Sequence, residues 1–147
     1  MITLSVITLS GCHCIQQLCF SVDHDGRQKI TFSLMTNLTD QCLMSVKVNF
    51  WGENVKRKLI VSTDVNGKLE LLLQGKESDQ LVGFTGFPVS DNNWRQINLS
   101  HQRGRFKLKV DDVRSSNIKP NLKAFSFLTF LHEPLDFCGA LTYLFFN

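Results

Sequence analysis

The stretch NNWRQINLSHQRGRFKLKVDD, from Asn92 to Asp112, contains two short runs in which apolar and polar residues alternate. The apolar positions of these runs are Ile97, Leu99, Phe106, Leu108 and Val110. Successive side chains of a strand point to opposite faces of its sheet, so this period of two predicts two strands, each with one buried face. The segment HQRG (His101–Gly104) predicts a turn in which His101 is solvated. The stretch is therefore predicted to be a β-hairpin with strands Trp94–Ser100 and Arg105–Val113.

Similar alternation recurs along most of the chain. The other alternating runs are Ile30–Leu34, Val46–Phe50, Leu59–Val61 and Leu69–Leu73. Asn66-Gly67 within TDVNGK (Thr63–Lys68) suits turn positions with positive φ, and no window carries an apolar stripe at helical spacing. The 147 residues, 43% of them hydrophobic, are enough for one domain with a sizeable core. Many short strands separated by turns predict an all-β sandwich.

The composition of the sequence changes near residue 20, from an apolar stretch with three cysteines to the alternating runs described above. Residues 1–20 are predicted to be an N-terminal segment, either signal-like or a boundary strand, and residues 21–147 to form the sandwich domain. The predicted core residues are Phe32, Leu71, Trp94, Ile97, Leu99, Phe106, Leu108 and Val110. Trp94 is expected to anchor the hairpin, so its truncation would cost about 3–5 kcal/mol. No transmembrane segment is predicted, because charged residues and Pro134 interrupt the apolar C-terminal stretch.

Several of these segments together resemble the laminin G-like family, of the neurexin and sex-hormone-binding globulin type. The segments that carry the resemblance are ITFSLMTN (Ile30–Asn37), NGKLELLL (Asn66–Leu73), SDNNWRQINLS (Ser90–Ser100), GRFKLKVDD (Gly104–Asp112) and PLDFCGALTYLFFN (Pro134–Asn147). The resemblance covers roughly residues 20–147. It implies an antiparallel two-sheet β-sandwich of jelly-roll type that serves as an extracellular recognition module. The last cysteine of the family normally follows a glycine and has a nearby partner, whereas Cys138 precedes Gly139 and no cysteine lies between it and Cys42.

Basic residues gather in two places. The residues predicted to bind a polyanion are Arg103, Arg105, Lys107, Lys109, Lys56, Arg57 and Lys58. The first four belong to the hairpin turn and to the outward parity of its second strand, and the last three form a triplet. Such groups bind sulfated, heparan-sulfate-like glycans through several charge-assisted contacts, although outward lysines also protect a strand from edge pairing. A nucleic acid partner is not predicted, because no aromatic residues alternate with the Lys and Arg residues on the outward parity and the formal net charge is only +3.

Two parts of the sequence contain residues of the types that bind metals, the predicted strand ends and the cysteine-rich segment, and no metal is predicted at either. Oxygen-bearing residues near predicted strand ends, which could hold calcium as the resemblance implies, are Glu53, Asn54, Asp64 and Asp111. We expect these to be turn formers and solvated charges. The segment CHCIQQLC (Cys12–Cys19) with His24 offers soft ligands for zinc. Its spacing lacks the C-x2-C pattern of zinc sites, so a disulfide or free thiols are expected.

No convergent catalytic constellation is present, and the chain is predicted not to be an enzyme. There is no nucleophile elbow, phosphate-binding glycine loop or metalloprotease motif. Asp111 and Asp112 are neighbours on a strand and face opposite sides, so they do not form an acid/base pair. A carbohydrate-active enzyme on a related jelly roll stays open as an alternative and would need two carboxylates on one face. A structural spacer domain and an internal apolar ligand between the sheets are further alternatives.

The predicted function is a non-catalytic extracellular recognition module. It would bind a sulfated glycan or a protein partner through rim loops and the basic strand face, without a cofactor. Five cysteines and two glycosylation sequons, at Asn37 and Asn98, suit a secreted glycoprotein with a disulfide. The identity of the ligand, the pairing of the cysteines and the oligomeric state stay open.

Overall fold

The computed structural model of the protein describes residues 13–50, 56–75, 77–103, 105–114, 116–117, 128–130, 136–138 and 141–145. Every regular element in these residues is a β-strand, so the prediction of an all-β chain is confirmed. The strands are β1 (His13–Val22), β2 (Gln28–Thr36), β3 (Cys42–Phe50), β4 (Arg57–Thr63), β5 (Lys68–Leu73), β6 (Gln80–Pro88), β7 (Arg95–Gln102), β8 (Arg105–Val110), β9 (Val113–Arg114), β10 (Ser116–Asn117), β11 (Leu128–Phe130), β12 (Asp136–Phe137) and β13 (Leu141–Phe145). These ranges contain no helix of a length and hydropathy that could cross a membrane.

The strands form two sheets, here called sheet A and sheet B. Sheet A has the order β13-β1-β2-β7-β8-β9, and sheet B has the order β10-β6-β5-β4-β3-β11, with β12 also beside β3. The chain passes from sheet A to sheet B between β2 and β3 and returns between β6 and β7. The predicted antiparallel two-sheet sandwich is confirmed. Among the described strands, β1 and β13 add a parallel pair that the sequence reading did not foresee.

The core lies between the sheets and takes one parity of each strand. In β5, for example, Leu69, Leu71 and Leu73 are buried, while the intervening Glu70 and Leu72 are only half-buried. Seven of the predicted core residues are buried here, namely Phe32, Leu71, Ile97, Leu99, Phe106, Leu108 and Val110. The period-of-two pattern therefore identified the inward face correctly.

Two predictions about the hairpin are wrong. Trp94 is 38% exposed and is not a core anchor. It precedes β7, which begins at Arg95, and it has the parity of the outward-facing Gln96. His101 is buried rather than solvated, because β7 continues past it and its ring lies 4.7 Å from that of Phe106.

Strand β1 crosses the predicted boundary at residue 20. Its register pairs His13 with Thr36 and Val22 with Gln28, and its other edge pairs with β13. Ile15 belongs to the core cluster. Residues 13–20 therefore lie within sheet A, and the extent of the domain toward residue 1 stays a prediction.

The connections at one end of the sandwich are hydrogen-bonded to one another, and we call this end the loop end. Its loops are residues 37–41, 64–67 and 89–94. The Asp40 amide donates to the Asp64 carbonyl at 2.8 Å, and the Val89 amide donates to the Gly67 carbonyl at 2.8 Å. Glycine is required at position 67, because φ is +79° and a Cβ there would lie 2.9 Å from that of Ser90. The opposite end, which holds the β1–β2 and β7–β8 turns, is called the turn end.

A disulfide joins Cys42 of β3 to Cys138 near the C-terminus. The two Cα atoms lie 5.5 Å apart, within the usual range for a disulfide. The Cys138 amide also donates to the Leu43 carbonyl at 3.2 Å, so the segment after β12 is held against β3. Of the other described cysteines, Cys14 is a buried thiol and Cys19 an exposed one.

Candidate anion-binding face

The register of β2, β7 and β8 arranges the outward side chains of sheet A in rows across the strands. From the turn end, the rows contain Gln102 with Arg105; Lys29 with Ser100 and Lys107; and Thr31 with Asn98 and Lys109. Each row ends in a base on β8 and has a hydroxyl or amide group on β7. We call the outward side chains of β8, together with those of Arg27 and Lys29, the basic face.

The predicted strand stripe follows the outward parity of β8. Arg105 and Lys109 are exposed and Lys107 is half-buried, while the intervening Phe106 and Leu108 are buried. In the described part of the chain, none of these three bases forms an ion pair with a carboxylate. Their charges are therefore directed to solvent and are available to an external anion.

The other predicted bases do not join the stripe. Arg103 is exposed in the β7–β8 turn, where its φ is +50°. Lys58 lies on β4 opposite Lys47 of β3, in sheet B. Because β4 begins at Arg57 at the turn end, the triplet shares that end of the sandwich with the stripe but lies on the other sheet. The two basic groups are therefore not one surface.

A pocket of about 150 Å³ lies beside the stripe at the turn end. It is lined by Arg27, Ser100, Gln102, Arg105 and Lys107. Sequence reasoning missed Arg27 and Gln102, because they are far apart in the chain and neither belongs to a cluster of bases. The pairing of β2 with β7 is what brings them together, and no local pattern signals it.

The β1–β2 turn holds Arg27 in position. The Asp23 amide donates to the Arg27 carbonyl at 2.9 Å, and the Gly26 amide donates to the Asp23 carbonyl at 2.9 Å. The Arg27 guanidinium Nη2 donates to Gln102 Oε1 at 3.4 Å, and Gln102 Nε2 donates to the Asp25 carbonyl at 3.0 Å. The hydrogen bond from the Arg27 amide lowers the pKa of the Asp25 carboxyl, which stays ionised at neutral pH.

Lys29 has a different electrostatic environment from the β8 bases. Its Nζ lies 3.0 Å from Asp23 Oδ2, and both side chains are partly exposed. The positive charge of Lys29 is therefore offset locally, whereas Arg105, Lys107 and Lys109 keep theirs. The positive potential of the basic face comes mainly from β8 and Arg27.

Two of the four oxygen-bearing residues considered for calcium lie in the described ranges, and their carboxylates are engaged within the protein. Asp64 Oδ1 accepts hydrogen bonds from the amides of Asn66 at 2.8 Å and Lys68 at 2.9 Å, as a turn former does. Asp111 Oδ1 accepts from the Gln96 amide at 2.9 Å. Glu53 and Asn54 lie outside the described residues. The described ranges contain no group of three His, Cys, Asp or Glu side chains arranged to hold a metal.

Two carboxylates, those of Asp91 and Asp111, lie close together at the loop end, and both bind the guanidinium group of Arg95. Arg95 Nη1 lies 2.9 Å from Asp111 Oδ2, and Arg95 Nη2 bonds to Asp91. Partial burial raises the pKa of both carboxyls, but hydrogen bonds, including those from Arg95, outweigh it, so both pKa values lie below the ordinary range. Both carboxylates are bound by the same guanidinium group, which is the arrangement of a surface ion-pair cluster.

The described residues that could act as zinc ligands, in the cysteine-rich segment and at His24, do not come together at one site. Cys14 is buried and Cys19 is exposed, with a register irregularity of β1 between them. His24 is exposed in the β1–β2 turn, and burial lowers the pKa of His13. Cys12 lies outside the described residues.

The sequence model of the family described as Laminin G domain matches residues 50–140. This chain belongs to the laminin G domain family. Its fold is similar to that of mouse laminin alpha1 chain, domains LG4-5, with a TM-score of 0.53 and 16% identity over 85% of this chain and 31% of that one. The chain thus spans about a third of that structure's length. A carbohydrate-binding module, CBM66 from Bacillus subtilis, matches with a TM-score of 0.38 and 7% identity over 84% of this chain and 88% of its own. No curated protein matches the sequence.

In this laminin G domain, the family match includes the β7–β8 hairpin and the triplet but not the β1–β2 turn. The stripe therefore lies in the part of the chain that carries family similarity. Arg27, which completes the pocket, lies outside the matched residues.

Proposed function

We propose that this laminin G domain is an extracellular, non-catalytic recognition module that binds a sulfated glycan on the basic face of sheet A. The observation that carries the proposal is the stripe of Arg105, Lys107 and Lys109 along β8, whose bases have no carboxylate partners among the described residues. Laminin G domains are generally non-catalytic binding domains, which supports the class of function. The disulfide and the family support an extracellular location.

The spacing of the bases suits an extended polyanion. Alternate residues on a strand are about 6.8 Å apart, so the three β8 bases present cations at regular intervals along one line. Ser100 lies beside this line on β7 and can hydrogen-bond to sugar hydroxyl groups. A chain with repeated sulfate groups can make several charge-assisted contacts here at once. Among the described strands β2, β7 and β8, no outward residue is aromatic, so these strands offer no stacking platform of the kind that single-stranded nucleic acids use.

A protein partner at the loop end is a second candidate. Among the described residues, the exposed apolar side chains at this end include Val65 in the β4–β5 turn and Trp94 before β7. Exposed tryptophan is enriched at protein interfaces, where it supplies a large contact area. This site would be independent of the basic face, since it lies at the opposite end of β7.

Heparin-column retention under a salt gradient tests the glycan proposal. We expect the folded domain to elute well above physiological salt, and the double variant Lys107→Glu/Lys109→Glu to elute close to the flow-through. Lys68→Glu, a single charge reversal on sheet B, is the matched control for Lys107→Glu alone and should elute later than that single variant. Circular dichroism confirms that each variant is folded.

The same run with and without calcium separates the alternatives. Elution of the folded double variant at the wild-type position would contradict binding by the stripe. Flow-through of the wild-type domain in both conditions would remove the glycan proposal and leave the loop-end protein interface as the leading function. Retention only in the presence of calcium would direct attention to a metal-dependent site outside the stripe.

A further inference from the structure

We propose that the pocket at the turn end is an anchor for a single tetrahedral oxyanion, a sulfate or phosphate ester group, and that Arg27 completes it. This inference rests on the proposed function and names the group that the basic face holds most tightly. The stripe would supply general attraction along β8. The pocket would fix one charged group, and therefore the register of the bound glycan.

The groups that line the pocket are predominantly donors. Arg27 and Arg105 provide planar guanidinium groups that can each hold two oxygens of one anion, Lys107 provides an ammonium group, and Ser100 provides a hydroxyl. No carboxylate lines the pocket. Sulfate and phosphate esters are small charged groups with three terminal oxygens that accept hydrogen bonds. The lining is therefore complementary to such a group in charge and in hydrogen bonding.

The pocket has room for one ester group. Its volume is about 150 Å³, and a sulfate or phosphate group has five non-hydrogen atoms. The sugar that carries the ester would extend from the pocket along β8.

Gln102 acts as a positioning residue for Arg27. Its amide oxygen accepts from the Arg27 guanidinium, and its amide nitrogen donates to the Asp25 carbonyl of the same turn. Both ends of the amide are thus used, which fixes its orientation. An arginine held in place before binding loses less conformational freedom on binding, so its contacts contribute more to affinity.

Small soluble probes test the pocket separately from the stripe. Glucosamine 6-sulfate, glucose 6-phosphate and glucose are titrated into the full chain, and the backbone amide NMR shifts of Ser100, Gln102 and Lys107 are followed. We expect shifts with both esters and none with glucose. The preference between the two esters tells whether the anchor is suited to a sulfated or a phosphorylated ligand.

Substitutions then assign the roles. Arg27→Gln should weaken ester binding by at least about tenfold, because a charge-assisted pair of hydrogen bonds is lost. Arg27→Lys, which keeps the charge but not the planar fork, should weaken it less. Lys68→Gln, on sheet B and away from the basic face, is the matched control and should change ester binding by less than about twofold. Equal effects of Arg27→Gln and Lys68→Gln would overturn the anchor.

A double-mutant cycle tests Gln102. Gln102→Met keeps the length of the side chain but removes both hydrogen bonds, and we expect it to weaken ester binding several-fold in the wild-type background. In the Arg27→Gln background it should have no further effect, since Gln102 acts through Arg27. A full, additive effect in that background would contradict the positioning role.

The failure of this inference can be told from the failure of the proposed function. If Arg27→Gln elutes from heparin like the wild type while Lys107→Glu/Lys109→Glu does not, the basic face stands and the anchor is wrong. If the esters bind in the pocket but heparin is not retained, the glycan proposal is wrong and the anchor stands as a site for a small anion. Shifts that are identical with glucose and with the esters would also overturn the anchor.

Discussion

At the residue scale, Arg95 and its two carboxylates show how a surface ion pair can be tested by pH. The pKa of Asp111 is held below its ordinary value despite partial burial, by the Gln96 amide and Arg95. A depressed pKa contributes stability above the unfolded-state pKa, and this contribution is lost as the pH falls through the folded-state pKa. We expect Asp111→Asn to lower the free energy of unfolding by about 0.5–1 kcal/mol at pH 7, as for a partly exposed ion pair.

Urea denaturation of the wild type and Asp111→Asn from pH 7 to pH 2.5 measures this effect. Asparagine retains an acceptor for the Gln96 amide and tolerates the positive φ of 52° at this position, so the substitution removes the carboxylate charge and its ion pair with Arg95. The difference between the two proteins should shrink below about pH 4. Asp112→Asn is the matched control and should stay close to wild type throughout. A difference that is constant with pH would mean that charge is not its source.

Trp94 provides a second prediction at this scale. Because it is 38% exposed, whereas Phe106 is only 2% exposed, Trp94→Ala should cost less than about 1.5 kcal/mol, and Phe106→Ala about 3–5 kcal/mol. Thermal or urea unfolding of the two variants measures the contrast. Equal losses of unfolding free energy would contradict this prediction and would mean that Trp94 contributes packing as a core residue does.

These residues also show where sequence patterns succeed and fail. Alternation correctly predicted burial for Phe106 and Leu108, because a strand's pleat dictates it. Trp94 is exposed although it is hydrophobic, because it precedes β7 and has the parity of the outward-facing Gln96. Arg27 and Gln102 were missed because their contact depends on how β2 pairs with β7, which is a property of the fold and not of a local segment.

At the scale of elements, the disulfide fixes the C-terminal segment to β3. It joins residues separated by 96 positions, and closing a loop of that size removes much of the entropy of the unfolded chain. We expect Cys42→Ser/Cys138→Ser to lower the free energy of unfolding by about 2–5 kcal/mol. Urea unfolding measures the loss. Cys19→Ser, at an exposed thiol, is the control and should be neutral, while a neutral double variant would mean that hydrogen bonds alone hold the segment.

The strands themselves were largely predictable, whereas their partners were not. The hairpin of β7 and β8 follows from one local pattern and a turn. The pairing of Cys42 with Cys138, and the parallel pairing of β1 with β13, join distant parts of the chain. No period or turn signal in a single sequence encodes such contacts. The candidate site shows the same division, since its stripe was predicted and its pocket was not.

At the scale of the whole molecule, the two sheets separate the two basic groups. The stripe is on the outward face of sheet A, while Arg57 and Lys58 lie on β4 in sheet B, and packed sheets are about 10 Å apart. Both groups lie toward the turn end. A long sulfated chain could therefore contact the stripe and pass around that end to the triplet, but a short one could contact only one group.

This arrangement predicts that the triplet matters only for long ligands. Arg57→Glu/Lys58→Glu should leave the affinity for a heparin tetrasaccharide within about twofold of wild type and weaken binding of full-length heparin several-fold, because the second contact adds avidity. Lys109→Glu, the comparison variant, should weaken both. Isothermal titration calorimetry at fixed salt measures the six affinities, of the wild type and the two variants for each ligand. If Arg57→Glu/Lys58→Glu weakens the tetrasaccharide as much as the long chain, the stripe and the triplet must act as one surface, and the assignment of separate roles to sheets A and B would be wrong.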